Sequence, residues 1–186
     1  GYFFVREAIA NFINRRDGFA PESGLAADPE RIFLTDGASD GAKRVLDLLI
    51  AKETDGVMIP IPQYPLYSAT IKMFGGVQVN YYPDEEHDWA LNRDALESAY
   101  TQAADQGVNI KAIVVINPGN PTGAILDKES VHEVIAFAKE RGLAIIADEV
   151  YQENLYGGEF ISFAKALGDE SSVPLFSLHS ISKGFY

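Results

Sequence analysis

Apolar residues recur at helical spacing at the start of the chain: Phe4, Val5, Ala8, Ile9, Phe12 and Ile13. Positions three and four apart share one helix face, so residues 2–16 are expected to form a helix that stops at Asp17-Gly18. Asp28-Pro29 marks a turn before Arg31-Ile32-Phe33-Leu34-Thr35, a β-rich run expected to be a short strand ending at Asp36-Gly37. Ala42, Val45, Leu46, Leu49 and Ile50 line one face of a second helix. Gly56-Val57-Met58-Ile59 is expected to be a buried strand, closed by Pro60 and Pro62 because proline has no N–H for a ladder. A short helix over 67–74 ends at Gly75-Gly76, and a strand follows over 77–82. Asn92 is placed to cap a helix through Gln106.

The second half repeats the alternation. Ala112-Ile113-Val114-Val115-Ile116 is a continuous β-branched run, as expected of a strand buried on both faces of a parallel sheet. Asp127 caps a helix over 128–141 that Gly142 ends. A strand over 143–147, a short helix over 160–167 and a last strand over 175–178 complete the pattern. Strands alternating with helices predict right-handed βαβ units and hence an α/β fold: an open, mostly parallel sheet with helices on both faces. No internal repeat, low-complexity tract or linker divides residues 1–186.

Composition narrows the chemistry. Of 186 residues, 47% are hydrophobic, enough for one sizeable core, and 15 Lys+Arg against 27 Asp+Glu leave a formal charge of -12. That balance argues against a nucleic-acid binder, which needs a basic stripe, while leaving room for a local anion pocket. The absence of cysteine removes disulfides, cysteine–zinc sites and cysteine nucleophiles. No apolar run approaches a membrane span and no secretory signal is present, so an intracellular protein is expected, with cytoplasm and mitochondrion both open.

In an open parallel sheet, ligands sit beyond the carboxyl ends of the strands. Four segments fall there. Asp36-Gly37-Ala38-Ser39-Asp40-Gly41 lies between an expected strand and a helix, where small residues and free amides suit an anion, although taken alone a plain turn at Gly37 with Ser39 as a cap is the commoner explanation. Asn117-Pro118-Gly119-Asn120-Pro121-Thr122-Gly123 sets a rigid loop around an amide side chain, or is a structural turn. Asp148-Glu149-Val150-Tyr151 places a carboxylate at the end of an apolar strand, where it needs a cation or a donor partner. Ser180-Ile181-Ser182-Lys183-Gly184 sets an amine beside two hydroxyls, suited to condense with a carbonyl, or a solvated surface lysine. Together they match an anion, a basic ring nitrogen, a phenolate oxygen and an aldehyde, the handles of pyridoxal 5′-phosphate. His87, His132 and His179 lack a second ligand at metal spacing, so no metal is expected. Asp84-Glu85-Glu86 is expected to be a solvated loop, and Trp89 a packing residue.

Asn120-Pro121-Thr122-Gly123, Asp148-Glu149-Val150-Tyr151 and Ser180-Ile181-Ser182-Lys183-Gly184 resemble, in order, the motifs of class I aminotransferases, the fold-type I pyridoxal-phosphate enzymes. With residues 60–69, 114–123 and 147–154 they are similar to the alanine aminotransferases within that family. The resemblance implies that Lys183 holds the cofactor and then moves the proton between the substrate Cα and the cofactor. Asp148 would pair with the ring nitrogen, Tyr151 and Asn120 would bind the phenolate oxygen, and Tyr64 would stack on the ring. The Ala38 and Ser39 amides, with the Ser39 and Ser180 hydroxyls, would bind phosphate.

The implied reaction exchanges an amino group between L-alanine and 2-oxoglutarate, yielding pyruvate and L-glutamate. A glutamate:glyoxylate aminotransferase, a related pyridoxal-phosphate lyase, or an inert piece retaining only the cofactor scaffold are the alternatives. Family members are homodimers, and their substrate-carboxylate arginine follows the lysine motif in a small domain. Residues 1–186 are therefore expected to be a partial large, cofactor-binding domain, without the N-terminal segment and the C-terminal small domain. By itself the piece should be inactive.

Overall fold

The computed structural model describes residues 1–170 and 172–185; Ser171 and Tyr186, the last residue of the expected domain, lie outside the described residues. Helix α1 (Phe3–Asp17) comes first, followed by α2 (Gly37–Leu49), β1 (Asp55–Pro60), α3 (Leu66–Met73) and β2 (Val77–Tyr81). Then come α4 (Arg93–Asp105), β3 (Asn109–Ile116), α5 (Lys128–Arg141), β4 (Ala144–Asp148), α6 (Phe163–Leu167) and β5 (Leu175–Leu178). The helix ends have local causes. Asn92 Oδ1 accepts the Asp94 N–H at 2.8 Å and Asp127 Oδ1 the Ser130 N–H at 2.8 Å, each satisfying a donor the first turn leaves free. Gly18 and Gly142 close α1 and α5 in the left-handed conformation, φ 76° and 65°, which a Cβ would oppose.

All strand pairs are parallel, in the order β2-β1-β3-β4-β5. The chain steps from β1 to β2 on one side, then crosses to β3 and continues through β4 and β5 on the other. The order therefore reverses between β1 and β3, where an open α/β sheet forms its ligand crevice.

Strand alternation sorts the core into two layers. Val57, Ile59, Ala112, Val114, Ala144 and Ile146 pack with Ala42, Leu46, Tyr67 and Ile71 of α2 and α3. Met58, Ile113, Val115, Ile145 and Ala147 face the opposite way, against Leu96, Val131, Val134, Phe137 and Phe163 of α4, α5 and α6. Burying each such large side chain contributes about 1.5–3 kcal/mol. The two-sided burial is why these strands are continuously apolar, and it confirms the expected helices on both faces.

Two expectations are corrected. Residues 31–35 form no strand: Pro29–Arg31 makes one helical turn, with Asp28 Oδ1 accepting the Glu30 N–H at 2.8 Å. The following residues pair with no strand among the described residues, and Phe33 is 84% exposed. A β-rich composition expresses fit to a pleated surface, and without a neighbour there is no ladder. Helix α6 begins at Phe163 rather than at residue 160, because the Ser162 hydroxyl caps it by accepting the Lys165 N–H at 3.0 Å.

Candidate active site

Helix α2 leads into the start of β1, so its N-terminus lies at the carboxyl edge of the sheet, the edge where β1, β3, β4 and β5 discharge their loops. Gly41 lies where an added Cβ would stand 3.4 Å from Leu178 at the end of β5, which brings the first turns of α2 against the last strand. The first-turn amides, those of Ala38 and Ser39 among them, have no carbonyl partner within the helix and carry its partial positive charge. Ser39 is a helical residue. The cap position belongs to Asp36, whose own side chain makes no capping bond, so the reading of Ser39 as an N-cap is set aside.

Asp148 is the last residue of β4 and is only 7% exposed. The alternation of β4 turns it to the α2/α3 side, where the Tyr67 hydroxyl of α3 donates to Oδ2 at 2.6 Å. Oδ1 has the Val150 N–H at 3.4 Å, a long contact. Burial pushes the Asp148 carboxyl above its usual range, and these two donors oppose that rise, Tyr67 more than Val150. The donor required by a carboxylate at the end of an apolar strand is thus a phenol. Backbone pairing holds the rim on both sides, with the Asn117 N–H on the Asp148 carbonyl and the Glu149 N–H on the Leu178 carbonyl, each at 3.0 Å.

Three residues later the loop presents Tyr151, whose hydroxyl accepts the Asn120 amide N–H at 3.3 Å. The Asn120 loop is tied to itself by the Gly119 N–H on Ala124 and the Gly123 N–H on Gly119, and by the Leu126 N–H on Asn117 Oδ1 at 3.0 Å. Lys183 Nζ stands 5.6 Å from the centroid of the Tyr151 ring, in cation–π range. Its position depends on Gly184, where φ is +74° and a Cβ would fall 2.3 Å from that of Glu153. Ser180 and Ser182 share a hydroxyl–hydroxyl contact at 2.5 Å.

The structure thus brings Asn120, Tyr151 and Lys183 into contact with one another, while Asp148 stands at the end of β4, three residues before Tyr151, with Tyr67 as its partner. Ala38, Ser39 and Ser180 stand at the same edge. Tyr64 lies half exposed in the loop after β1 and makes no hydrogen bond to the central cluster among the described residues. Sequence reasoning passed over Tyr67, reading it only as the start of a helix; its apolar spacing concealed a hydroxyl that needs a buried partner. It also passed over a buried polar network behind β4. Arg16 donates twice to Asp17 and once to Gln152, and Ser162 donates to Asp17 at 2.8 Å. Glu149, on the opposite face from Asp148, accepts the Phe163 N–H at 2.8 Å, and burial pushes its carboxyl up to about 7.

The fold is an open parallel α/β sheet whose candidate residues stand at the carboxyl ends of β3, β4 and β5, beside the switch between β1 and β3. The profile described as aminotransferase class I and II matches residues 1–185, and the chain belongs to that family. It is 48% identical over 192 residues to a protein named probable alanine aminotransferase, mitochondrial, from Dictyostelium discoideum, covering all of this chain and 35% of that protein. It is 44% identical over 189 residues to glutamate–glyoxylate aminotransferase 2 of Arabidopsis thaliana, covering 98% of this chain and 38% of that one. Among solved structures, an alanine aminotransferase from Pyrococcus furiosus superposes with a TM-score of 0.85 at 31% identity, covering 98% of this chain and 42% of that one. The chain therefore spans little more than a third of the length of these curated relatives.

Proposed function

We propose that this chain is the cofactor-binding core of a pyridoxal-phosphate-dependent aminotransferase that exchanges amino groups between L-alanine and 2-oxoglutarate. The observation that carries the reading is the buried carboxylate of Asp148, one oxygen held by Tyr67 and the other without a strong donor, at the same sheet edge as the contacts among Asn120, Tyr151 and Lys183. Saturated carboxylates are structural; a buried one left short of donors suits a cationic ligand group. The donor set fits the cofactor group by group. When bound, pyridoxal phosphate supplies an aldehyde carbon and an electron-withdrawing ring.

The chain's residues then divide the work. Lys183 Nζ would be the amine that holds the aldehyde carbon and, when the substrate amine takes its place, the base that moves the proton at the substrate Cα. Asp148 Oδ1 accepts from the ring N–H and keeps that proton in place. Tyr151 and Asn120 donate to the phenolate oxygen. The Ala38 and Ser39 amides, with the Ser39 and Ser180 hydroxyls, receive the phosphate at the positive end of α2. Tyr64 covers one ring face, an arrangement worth about 1 kcal/mol beyond area burial.

The same constellation serves glutamate:glyoxylate exchange, a second reading favoured by the 44% identity to the Arabidopsis relative. With L-glutamate as the amino donor, comparison of kcat/KM for pyruvate and for glyoxylate as acceptors separates the two. The remaining length of the relatives is where we place the substrate-carboxylate arginine and the small domain, and we infer a homodimer for the whole protein. The 186-residue chain alone is expected to show negligible turnover, measured with L-alanine and 2-oxoglutarate. For the whole protein we propose an intracellular location, mitochondrial or cytoplasmic; two of the relatives carry mitochondrial in their names. No helix of the described residues is long and apolar enough to cross a membrane.

An absorbance scan tests the central assignment. The whole protein with added pyridoxal phosphate should show a near-visible band that Lys183→Ala abolishes together with turnover. A variant that keeps both would remove Lys183 from this role.

A further inference from the structure

Tyr67 is fully buried, and it lies 81 residues from the carboxylate its hydroxyl meets. Its ring packs in the α2/α3 layer, on which Asp148 also lies because residues 144, 146 and 148 of β4 point the same way. A tyrosine so placed exchanges water for a protein partner, and among the described residues the Asp148 oxygen is the one that receives its proton. Burial, and then the Asp148 charge, push the Tyr67 phenol well above its usual value, so it remains a donor throughout the working pH range. Asp148 in turn has few supports, since its second donor, Val150, is at 3.4 Å.

We infer that Tyr67 is a positioning residue: its hydrogen bond to Oδ2 holds Asp148 ionised and turned so that Oδ1 faces the crevice, ready for a protonated ring nitrogen. The inference rests on the proposed pairing of Asp148 with that nitrogen. The geometry explains why a phenol serves here. A lysine or arginine would neutralise Asp148 and compete with the ligand cation, whereas an uncharged donor stabilises the carboxylate and leaves its full charge available. The charged neighbour coupled to Asp148 is Glu149, turned to the opposite face of β4; Tyr151 and Lys183 follow in the loops after β4 and β5, and among the described residues the paired strand ends contribute Ile116 and Leu178.

The test uses the whole protein with Tyr67→Phe, a substitution that removes one oxygen and keeps the ring. Two readouts apply: the dissociation constant of pyridoxal phosphate with no substrate present, and the pH dependence of its bound absorption band. Loss of one charge-assisted hydrogen bond predicts roughly tenfold weaker binding at pH 8, and an acid limb raised by about one pH unit. Ring-fluorinated tyrosine at position 67, a stronger donor that preserves the packing, should move the limb the opposite way. A limb unmoved by both changes overturns the inference, even if Tyr67→Phe lowers stability. Asp148→Asn separates the two levels. If it leaves cofactor affinity and spectrum intact, the underlying pairing fails and the inference with it. If it weakens them while Tyr67→Phe and the fluorinated residue change nothing, only the role of Tyr67 fails. In the Asp148→Asn background, Tyr67→Phe should add less than twofold, and a full tenfold effect there would also refute coupling through Asp148.

Discussion

Two buried aspartates stand at opposite edges of the same sheet, Asp55 at the amino end of β1 and Asp148 at the carboxyl end of β4, exposed by 1% and 7%. Asp55 is saturated. Its Oδ2 accepts the Ala51 and Lys52 amides, each at 3.0 Å, its Oδ1 accepts the Asn109 side-chain amide at 2.8 Å, and Lys111 lies 3.6 Å away. Burial alone would raise its carboxyl, but these donors hold it below the usual range. Asp148 has one short donor and one long one, and burial prevails. The same residue type at similar burial is thus finished at one edge and left open at the other. The difference teaches that, of two carboxylates similarly hidden from solvent, the one tied by several donors near the sheet's margin is lowered, whereas the one set deeper with a single short donor is raised.

The comparison is broken most directly by neutralising each residue in turn. Asp148→Asn in the whole protein is expected to reduce transaminase turnover on the order of 100- to 1000-fold, the usual cost of losing one preorganised electrostatic partner. Its thermal midpoint should stay level or rise, because a buried charge short of donors is removed. Unchanged turnover would refute the electrostatic role. Asp55→Asn should do the reverse, lowering the midpoint while leaving kcat intact at temperatures where the protein is folded. The Asp55 carboxyl is lowered on folding, so its contribution is present above the unfolded value, about 4, and is lost as pH falls through the folded one. The variant should lack that part of the acid destabilisation, which pH-dependent melting measures.

Glu149 sharpens the contrast from the other face of β4. Its carboxyl rises on folding from 4.5 to about 7, chiefly by burial, with Arg16 opposing. The folded state therefore binds more protons than the unfolded one between those values, and stability falls as pH rises through that window, by about 3 kcal/mol at most. Glu149→Gln should remove this loss, so that the gap between variant and native midpoints widens in the variant's favour from pH 5 to pH 8. Parallel curves would show that Glu149 is already ionised in the fold. The smallest effect is expected at the crevice rim. Tyr151→Phe should reduce turnover about tenfold, the worth of one hydrogen bond, and should displace the cofactor absorption band.

Much of this molecule was legible in its residues. The strands at 112–116 and 143–147 are apolar on both faces because helices cover both, and that pattern by itself implies an open parallel sheet. Caps such as Asn92 and Asp127 act through their own backbone neighbourhood, so their positions followed from local chemistry. Local propensity misled at 31–35, where the strand pattern was sound and no partner strand stands beside it.

The chemistry of the site divides in the same way. Asn120, Asp148, Tyr151 and Lys183 announced themselves because each follows a strand, and parallel topology gathers strand ends along one edge whatever the loops contain. What the sequence determined by itself was the class of fold, the edge on which chemistry gathers and the residue types available there. Which oxygen of Asp148 is taken, and by which donor, only the tertiary structure decided, because Tyr67 meets it across 81 residues of chain. Propensity and periodicity act over one or two turns, whereas a buried hydrogen bond depends on how α3 lies across the sheet.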